Sequence, residues 1–389
     1  MKYLNIFLGN KLISCDTVLP FALDIKKQYP DTRIIFYAFQ NKTIETIKKN
    51  ITLNNLIHEN GKLLLFGYYD RPYIKIARVF GKIINIVLII LTSLIHKTNN
   101  IHFRSLEFFP FNIIYFFNRK GTFLFENNCW GYSELTYKAD LLFYVGRVGT
   151  EQTLFKSFDK LVSFSKEWPQ YQLNINNNKK LFFIKPTRSS ALWLNESKNQ
   201  ATALESNSPD WLKHVKINKN AILYILGSMN IIPTLNKNSS GNILLSKTID
   251  FLIKNTKSII LLKPHAITDM KIVNNIISKY DSRRIYVVYN HVSVLSHFCS
   301  ITISNYFSYA MADAWMNNSK VIEFSHYDDE VLKLTNNKSI VSKYVDIFIN
   351  NDLKKLDYEF SKPLERPKRL TEYNEKDDTN LLISSFFER

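Results

Sequence analysis

The sequence predicts an α/β protein with two doubly wound domains. Short apolar runs of strand length alternate with amphipathic stretches of helical length near the amino terminus, and the same alternation begins again at residue 221. The chain also has 389 residues, of which 46% are hydrophobic, which is enough for two cores of ordinary size. Mostly parallel sheets with helices on both faces are the usual result of such alternation.

The first alternation covers the amino-terminal part of the chain. YLNIFLG, RIIFYAF and KLLLFGYYD have the pattern of strands, and TVLPFALDIKKQ and TIETIKKNI between them have that of helices. A helical segment, FFPFNIIYFFNRKG, then leads to the strand TFLFE, and the apolar runs LLFYVG and LVSFS follow. We predict that residues 1–195 form an amino-terminal domain that binds the acceptor.

The second alternation follows a polar stretch. Residues 196–220 lose the apolar periodicity and have the composition of an interdomain connection. The strands AILYILGS, SIILLK, RIYVVY, SITIS and KVIEF then alternate with helical segments, which predicts a carboxy-terminal domain over residues 221–350. Residues 351–389 are expected to pack back on the first domain. Two such domains would face each other across a cleft lined by the carboxyl ends of their strands.

Composition limits the classes of partner. Lysine and arginine exceed aspartate and glutamate by 51 to 34, a net charge of +17, so the protein attracts phosphorylated substrates and anionic lipid headgroups. These charges are dispersed and no nucleic-acid-binding motif accompanies them, so nucleic acid is not expected as a partner. Cys15, Cys129 and Cys299 lie far apart, which predicts neither a zinc site nor a disulfide and favours the reducing cytoplasm.

The most membrane-like stretch is IINIVLIILTSLI at residues 83–95. It is shorter than the roughly 20 apolar residues of a spanning helix, and it contains Asn85, Thr92 and Ser93. Two alternatives stay open. The segment is either a buried helix or, with the basic residues of RPYIKIARVFGK, a helix that docks on the inner face of the cell membrane. The start MKYLNIFLGN is a poor secretory signal and is predicted to be the first strand.

Polar side chains follow the predicted strands of the second domain, and we expect them to bind an anion. Lys263 and His265 come directly after IILL, and the proline between them fixes the direction of the chain. Both side chains can donate to a phosphate oxygen, although a loop histidine without a ligand fits the pattern too. The turn after SITI suits an anion, or else simply caps a helix. The candidates in this turn and in the loop after AILYIL are Ser304, Asn305, Tyr306, Ser308, Gly227 and Ser228.

Glu126 is the candidate catalytic group of the first domain. It ends the strand TFLF, where a carboxylate could take the proton from an attacking hydroxyl as a general base. A carboxylate that hydrogen-bonds its own loop is the alternative. Glu134 and Asp140 are further acidic candidates on this side. Gly9 and Asn10, after the first strand, either let the backbone approach a substrate or form a tight turn.

Several catalytic motifs are missing from the sequence. The sequence contains no GxGxxG, Walker A, HExxH or GxSxG motif. It therefore lacks the residues that define dinucleotide oxidoreductases, P-loop NTPases and zinc proteases. There is also no aspartate-rich metal loop and no clear DxD motif. We therefore predict a transferase that uses neither a metal nor a cofactor besides its donor substrate.

The sequence Lys-Pro-His, followed by the strand SITIS, the turn SNYFS and the strand KVIEF, resembles the second domain of bacterial GT-B glycosyltransferases that use CMP-activated sugars. These include sialyltransferases, polysialyltransferases and Kdo transferases. The resemblance implies that His265 and Ser308 belong to a His-Pro and a Ser-Ser motif that bind the CMP part of the donor. Here Ala266 replaces the proline and Phe307 replaces one serine. LFENNCWGY likewise resembles the acidic motif of polysialyltransferases, which implies that Glu126 is the base.

The resemblance implies a function as well as a fold. It implies a metal-independent GT-B enzyme that transfers a sugar, such as sialic acid or a Kdo-like acid, to a hydroxyl of a capsule or lipopolysaccharide glycan. The enzyme would be cytoplasmic or peripheral on the inner membrane surface. SNYFS is also similar to a turn of the CDP-glycerol polymerases, so a polyol-phosphate transferase stays open, as does a noncatalytic glycan-binding module. Inversion with Glu126 as base and retention through a carboxylate nucleophile both stay open.

Overall fold

The computed structural model describes residues 2–9, 12–66, 75–96, 98–103, 110–126, 129–130, 135, 159–165, 180–206, 209–217, 221–227, 241–265, 268–363, 367, 369 and 377–387. The chain divides into two compact units. The first unit comprises Met1–Tyr137, Tyr144–Trp193 and Tyr373–Arg389, and the second comprises Lys138–Phe143 and Leu194–Glu372.

The first unit is built on a parallel sheet. Its described strands are β1 (Lys2–Phe7), β2 (Thr32–Ala38), β3 (Lys62–Leu65), β4 (Thr98–His102), β5 (Thr122–Phe125), β6 (Lys160–Ser163) and β7 (Lys180–Phe183). Their spatial order is β3-β2-β1-β4-β5-β6-β7, and each pair runs parallel. The order of the strands reverses between β1 and β4, the point at which doubly wound sheets bind their ligands.

Helices cover this sheet. They are α1 (Leu12–Gln28), α2 (Asn41–Lys49), α3 (Ile51–Asn60), α4 (Lys75–Ile95) and α5 (Phe111–Phe117). The α3 helix begins where it does because the side chain of Asn50 accepts a hydrogen bond from the Leu53 amide, 3.3 Å away, and so satisfies one donor of the first turn. On one side of the sheet, Ile86 and Ile89 of α4 pack with Ile114 of α5 in a single apolar cluster.

The β4 strand is a polar segment in the centre of a sheet, and the sequence pattern did not predict it. All five of its residues, TNNIH, are buried. Asn100 accepts a hydrogen bond from the side-chain amide of Asn5 on β1 at 3.0 Å, and Asn99 donates to the carbonyl of Phe386 at 2.6 Å. These bonds offset part of the cost of burying the two amide groups, while Oδ1 of Asn99 and Nδ2 of Asn100 have no partner among the described residues.

The second unit contains another parallel sheet. Its described strands are β8 (Ala221–Ile225), β9 (Ile260–Lys263), β10 (Ile285–Val287), β11 (Cys299–Ser304), β12 (Lys320–Ser325) and β13 (Ile347–Asn350). Their order is β10-β9-β8-β11-β12-β13, and every described pair is parallel. The order reverses between β8 and β11. The loops after these two strands therefore meet at the expected ligand-binding edge.

The remaining helices complete both units. They are α6 (Ala191–Ser206), α7 (Gly241–Asn255), α8 (Met270–Ile277), α9 (Val292–Leu295), α10 (Ala310–Met316), α11 (Asp329–Thr335), α12 (Leu353–Ser361) and α13 (Thr379–Phe387). Carboxylates begin three of them, since Asp269, Asp328 and Asp352 each accept from an amide of the following first turn. The predicted α/β class with two parallel sheets is confirmed.

Residues 196–220, which the sequence predicted to be a connection between the domains, form part of a helix and of a hydrophobic core. Its first part lies in α6, and Trp211, Leu212 and Val215 are buried in a core cluster of the second unit with Leu223 of β8. The few apolar residues are widely spaced among polar ones, so the periodicity was too weak to predict this contact.

The last part of the chain contributes to both units. Leu356 of α12 is fully buried in the core of the second unit. Phe386 of α13 stacks on Phe123 of β5 in the first unit, with ring centroids 4.1 Å apart. Residues 351–389 therefore do not act as one segment, because α12 and α13 bury their apolar faces in different cores.

Candidate functional site

The loops after β8 and β11 meet at the point where the second sheet reverses its strand order. Gly227 lies two residues beyond the end of β8, and Tyr306 lies two residues beyond the end of β11. The ring of Tyr306 lies directly against Gly227, so that a Cβ atom at position 227 would overlap the ring carbons. Glycine is therefore required at this position by a close contact.

The loop after β9 is tied to the same place. The hydroxyl of Thr268 accepts a hydrogen bond from the His265 amide at 2.9 Å and donates to the Gly227 carbonyl at 3.1 Å. The Thr268 amide also donates to the His265 carbonyl at 3.0 Å, which closes a tight turn. His265 is exposed, whereas Lys263 is half-buried with its ammonium 3.4 Å from the Pro264 carbonyl. The structure thus brings Gly227, Lys263, His265 and Tyr306 to adjoining loops at one edge of the sheet.

Asn305 holds the turn after β11 from inside the domain. Its side-chain oxygen accepts a hydrogen bond from the Tyr224 hydroxyl, and its amide donates to the Thr248 hydroxyl and the Phe324 carbonyl, both at 2.9 Å. The hydroxyl of Ser304 is likewise used within the turn, where it donates to the Tyr306 carbonyl at 2.8 Å. Both residues are candidates for donor binding, and in the structure their buried side chains are hydrogen-bonded within the domain.

Ser308 lies at the start of α10. Its hydroxyl accepts a hydrogen bond from the Ala310 amide at 3.2 Å, and its carbonyl accepts one from Met311 at 2.9 Å. This is the capping use of serine that the sequence left open. The side chain is half-buried.

A buried carboxylate that the sequence analysis missed supports this turn. Glu323 of β12 is fully buried and accepts hydrogen bonds from Ser325, Tyr327 and Ser339. The Tyr327 oxygen in turn accepts a hydrogen bond from the Phe307 amide at 3.1 Å. Burial raises the pKa of Glu323, which these hydroxyl donors oppose. The lone acidic residue within the apolar run KVIEF was the available signal.

Glu126 follows β5 directly and is almost completely buried, with 1% of its surface exposed. Its Oε2 atom accepts hydrogen bonds from the Ser163 hydroxyl at 2.9 Å and the Phe164 amide at 3.0 Å. Its Oε1 atom has no hydrogen-bond partner among the residues that the structure describes. Burial raises the pKa of Glu126 to about 8, while the bonds from Phe164 and Ser163 act in the opposite direction.

A buried arginine lies in the same domain. Arg188 is 4% exposed, its Nε atom donates to the Cys129 sulfur at 2.8 Å, and its guanidinium lies 5.6 Å from the centre of the Trp130 ring. Sequence analysis did not select it. The signal was available, because Lys185-Pro186 follows the apolar run LFFI just as Lys-Pro follows IILL before His265.

The other candidates of the first domain are less informative. The amide of Gly9 donates to the Ser14 hydroxyl at 2.9 Å, which closes the turn between β1 and α1. Four candidates, Asn10, Glu134, Asp140 and Ser228, lie outside the described residues. No cluster of three or more potential metal ligands occurs within the described parts of the chain.

His102 ends β4 at the point where the first sheet reverses its order. Its ring stacks on Phe7 with centroids 4.4 Å apart, and neither ring nitrogen has a hydrogen-bond partner among the described residues. Burial lowers the pKa of His102 to about 3, so the imidazole is neutral at physiological pH.

Comparisons with known proteins give matches only at the level of structure. No protein-family model and no curated protein matches the chain. Arabidopsis thaliana UGT89C1, solved in complex with UDP, is 10% identical with a TM-score of 0.54, and the match covers 99% of both chains. A UDP-N-acetylglucosamine 2-epimerase is 11% identical with a TM-score of 0.52, covering 93% of this chain and 88% of the other. The chain has the GT-B fold.

The wall teichoic acid polymerase TagF is a further GT-B match, at 14% identity and a TM-score of 0.49, covering 100% of this chain and 84% of the other. The GT-B fold predicted from the sequence is confirmed by its two parallel sheets and by the likeness to UGT89C1 and the epimerase. No helix in the described parts of this GT-B chain is long and apolar enough to cross a membrane.

Proposed function

We propose that this GT-B protein is a glycosyltransferase that binds a nucleotide sugar on its second domain and transfers the sugar to a glycan hydroxyl. The observation that carries the proposal is the meeting of the His265 loop with Gly227 and Tyr306, where β8 and β11 separate. Doubly wound sheets bind nucleotides at such a point, because the loops on either side diverge and leave a crevice. Close approach of the backbone at Gly227 also suits a phosphate-bearing ligand.

The charges at this edge suit a leaving phosphate. His265 is exposed, so a phosphate oxygen can reach its imidazole, and Lys263 follows the same strand with a cationic ammonium. As the bond between the sugar and the phosphate breaks, the electron pair stays on the phosphate oxygen and negative charge grows there. Positively charged or donating groups held in place before the reaction stabilise that charge.

Two findings bear on the identity of the donor. UGT89C1 was solved with UDP and the epimerase is named for a UDP-sugar, which supports a nucleotide sugar as the class of donor. The Lys-Pro-His sequence and the SNYFS turn support a CMP-linked donor within that class, carrying sialic acid or a Kdo-like acid.

Glu126 is proposed as the base that accepts the proton of the attacking hydroxyl. Its Oε1 atom, although buried, has no hydrogen-bond partner among the described residues, and its raised pKa makes the ionised form a better base than an ordinary carboxylate. In an inverting reaction the acceptor oxygen forms its bond to the anomeric carbon while Glu126 takes the proton. In the same step the bond from the anomeric carbon to the phosphate oxygen breaks, and the nucleotide leaves as the monophosphate.

The acceptor is proposed to be a capsule or lipopolysaccharide glycan at the inner face of the cell membrane, and the protein would work in the cytoplasm as a peripheral enzyme. The charge of +17 favours approach to a surface with anionic lipids.

Nucleotide release from a panel of donors tests the reaction. The panel contains CMP-sialic acid, CMP-Kdo, CDP-glycerol and UDP-N-acetylglucosamine, each incubated with surface glycans. Release of CMP with a modified glycan supports the proposal, and its loss in Glu126→Gln supports the role of the base. Transfer from CDP-glycerol would instead indicate a polyol-phosphate transferase. Binding of CMP without any turnover would indicate a noncatalytic module.

A further inference from the structure

The α4 helix exposes a continuous apolar stripe. Seven large side chains form it, each between 45% and 73% exposed: Ile83, Ile84, Val87, Leu88, Leu91, Leu94 and Ile95. With 3.6 residues per turn, these positions lie within an arc of about 140° on the helix. Ile86 and Ile89, on the opposite face, are buried against α5. One face of α4 therefore belongs to the core and the other is apolar without being covered by any described residue.

The hydroxyl groups of Thr92 and Ser93 on α4 form hydrogen bonds within the protein. Thr92 donates to the Leu88 carbonyl at 2.8 Å, and Ser93 accepts from the Thr98 hydroxyl at 2.7 Å. A polar group that is already bonded costs less when water is removed from its surroundings. Thr92 and Ser93 therefore add little to the cost of transferring the exposed face of α4 to an apolar medium.

The end of α5 extends the apolar stripe and adds positive charge. Phe116 and Phe117 are 78% and 48% exposed, and the exposed residues Arg119 and Lys120 follow them. The side chain of Asn118 donates to the Thr98 carbonyl at 3.0 Å, which places this group beside the carboxyl end of α4. We refer to the stripe of α4 together with residues 116–120 as the α4–α5 surface.

The charges of the α4–α5 surface are positive. The 21 residues of α4 include no aspartate or glutamate. Asp159, the acidic group that contacts this surface among the described residues, forms an ion pair with Arg119. Lys120 remains exposed with its carbonyl bonded to Lys160. Apolar side chains beside lysine and arginine match a bilayer surface that contains anionic lipid.

We propose that the α4–α5 surface docks on an anionic lipid bilayer, with α4 lying in the plane of the interface. The apolar stripe enters the boundary between headgroups and acyl chains, and Lys120 contacts the lipid phosphates. This docking rests on the proposed function, because it would bring the enzyme to a lipid-linked acceptor at the membrane surface. Binding to lipid needs no donor substrate, so it can be measured whether or not transfer occurs.

A fluorescent label at position 91 tests the docking directly. Cys15, Cys129 and Cys299 are buried, so a Leu91→Cys variant can be labelled at the new thiol with a polarity-sensitive dye. The matched control is Leu381→Cys, since Leu381 of α13 is 52% exposed and Leu91 is 45% exposed. With vesicles of phosphatidylglycerol and phosphatidylcholine, the emission at position 91 should shift to the blue while that at 381 does not. Neutral vesicles of phosphatidylcholine should give a much smaller shift.

Vesicle co-sedimentation with variants separates the apolar contribution to lipid binding from the contribution of positive charge. The double variant Leu88→Asn, Leu91→Asn should bind at least about tenfold more weakly, because it removes apolar area that enters the lipid. Lys120→Gln should weaken binding by a few-fold, more so at low ionic strength. Leu381→Asn and Lys48→Gln, both at exposed positions outside this surface, should bind as the unchanged protein does. Unchanged melting temperatures check that the variants fold.

Two results would overturn the docking proposal. Equal vesicle binding by the double variant would place the lipid contact elsewhere. A blue shift at position 91 that needs no lipid and grows with protein concentration, together with a dimer in light scattering, would assign the surface to a second copy of the chain. Failure of the proposed function would be seen separately, as vesicle binding by a protein that binds no nucleotide.

Discussion

The ring of Tyr306 packs directly on the backbone of Gly227 and joins the ends of β8 and β11. A Gly227→Ala substitution should therefore push the ring out of place, since the new methyl group would occupy the position of the ring carbons. We expect nucleotide affinity to fall about tenfold or more, measured by calorimetry. Because the cause is a clash with one side chain, Tyr306→Ala in the same protein should relieve part of the loss. Two independent, additive losses would contradict this contact.

Glu126 should make stability depend on pH. Its pKa is raised to about 8 in the folded protein from an ordinary value of 4.5, so the folded state keeps a proton that the unfolded state releases. The stabilisation is complete below pH 4.5 and is lost as the pH rises through 8. Glu126→Gln should remove this slope and be more stable than the unchanged protein above pH 8, by roughly 2 to 5 kcal/mol. Urea unfolding at a series of pH values measures the free energy of unfolding of both proteins. If that free energy depends on pH in the same way for both, the pKa of Glu126 is not raised by burial.

The same group should shape the pH dependence of activity. A base with a pKa of about 8 is mostly protonated at neutral pH, so kcat/KM should rise as the pH approaches 8 and then level off. Glu126→Gln should lower kcat/KM by a factor of about 100 or more and abolish that rise. A flat profile in the active protein would exclude Glu126 as the base.

His102 should destabilise the protein in mild acid. Burial lowers its pKa to about 3 from 6.5, so the unfolded state takes up a proton that the folded state does not. Stability is retained above pH 6.5 and is lost as the pH falls toward 3. His102→Phe should keep the stack on Phe7 and weaken this acid dependence, by about 2 kcal/mol at pH 5. Melting temperatures between pH 7 and 4 test it, with His58→Gln, at an exposed position of α3, as a variant that should change nothing.

Asn305 should affect folding more than ligand affinity. Asn305→Ala removes the partners of Tyr224, Thr248 and the Phe324 carbonyl inside the core. Unpaired buried groups are costly, so we expect a loss of about 2 to 4 kcal/mol in the free energy of unfolding. Ser308→Ala, at a half-buried position, should cost less than 1.5 kcal/mol as an ordinary cap. If Asn305→Ala leaves stability intact but abolishes nucleotide binding, the side chain contacts the donor after all.

The alternation of apolar runs predicted ten of the thirteen described strands, all except β4, β7 and β13, because most strands are buried on two faces and need apolar residues at nearly every position. It missed β4, where Asn100 bonds to the Asn5 side chain and Asn99 to the Phe386 carbonyl, groups far away in the chain. It also missed the core contact of Trp211. Such contacts depend on tertiary neighbours that a local pattern does not contain.

Only part of the candidate site could be predicted from the sequence, because some of its side chains are positioned by tertiary contacts. Lys263 and His265 follow a strand directly, so their place at the sheet edge follows from topology alone. Whether Asn305 faces inward or outward depends on the Tyr224 and Thr248 side chains, which the local sequence does not specify. Arg188 and Glu323 were not selected although each follows or interrupts an apolar run, because their burial is not visible in the local pattern.

Calorimetric titration of the purified protein with CMP, CDP, UDP and GDP tests the central claim most directly. The account predicts that a cytidine nucleotide binds most tightly, and that His265→Ala weakens it about tenfold or more while His214→Ala, an exposed histidine of the same domain, does not. Failure of the unchanged protein to bind any of the four nucleotides, or equal affinity in the two histidine variants, would contradict it.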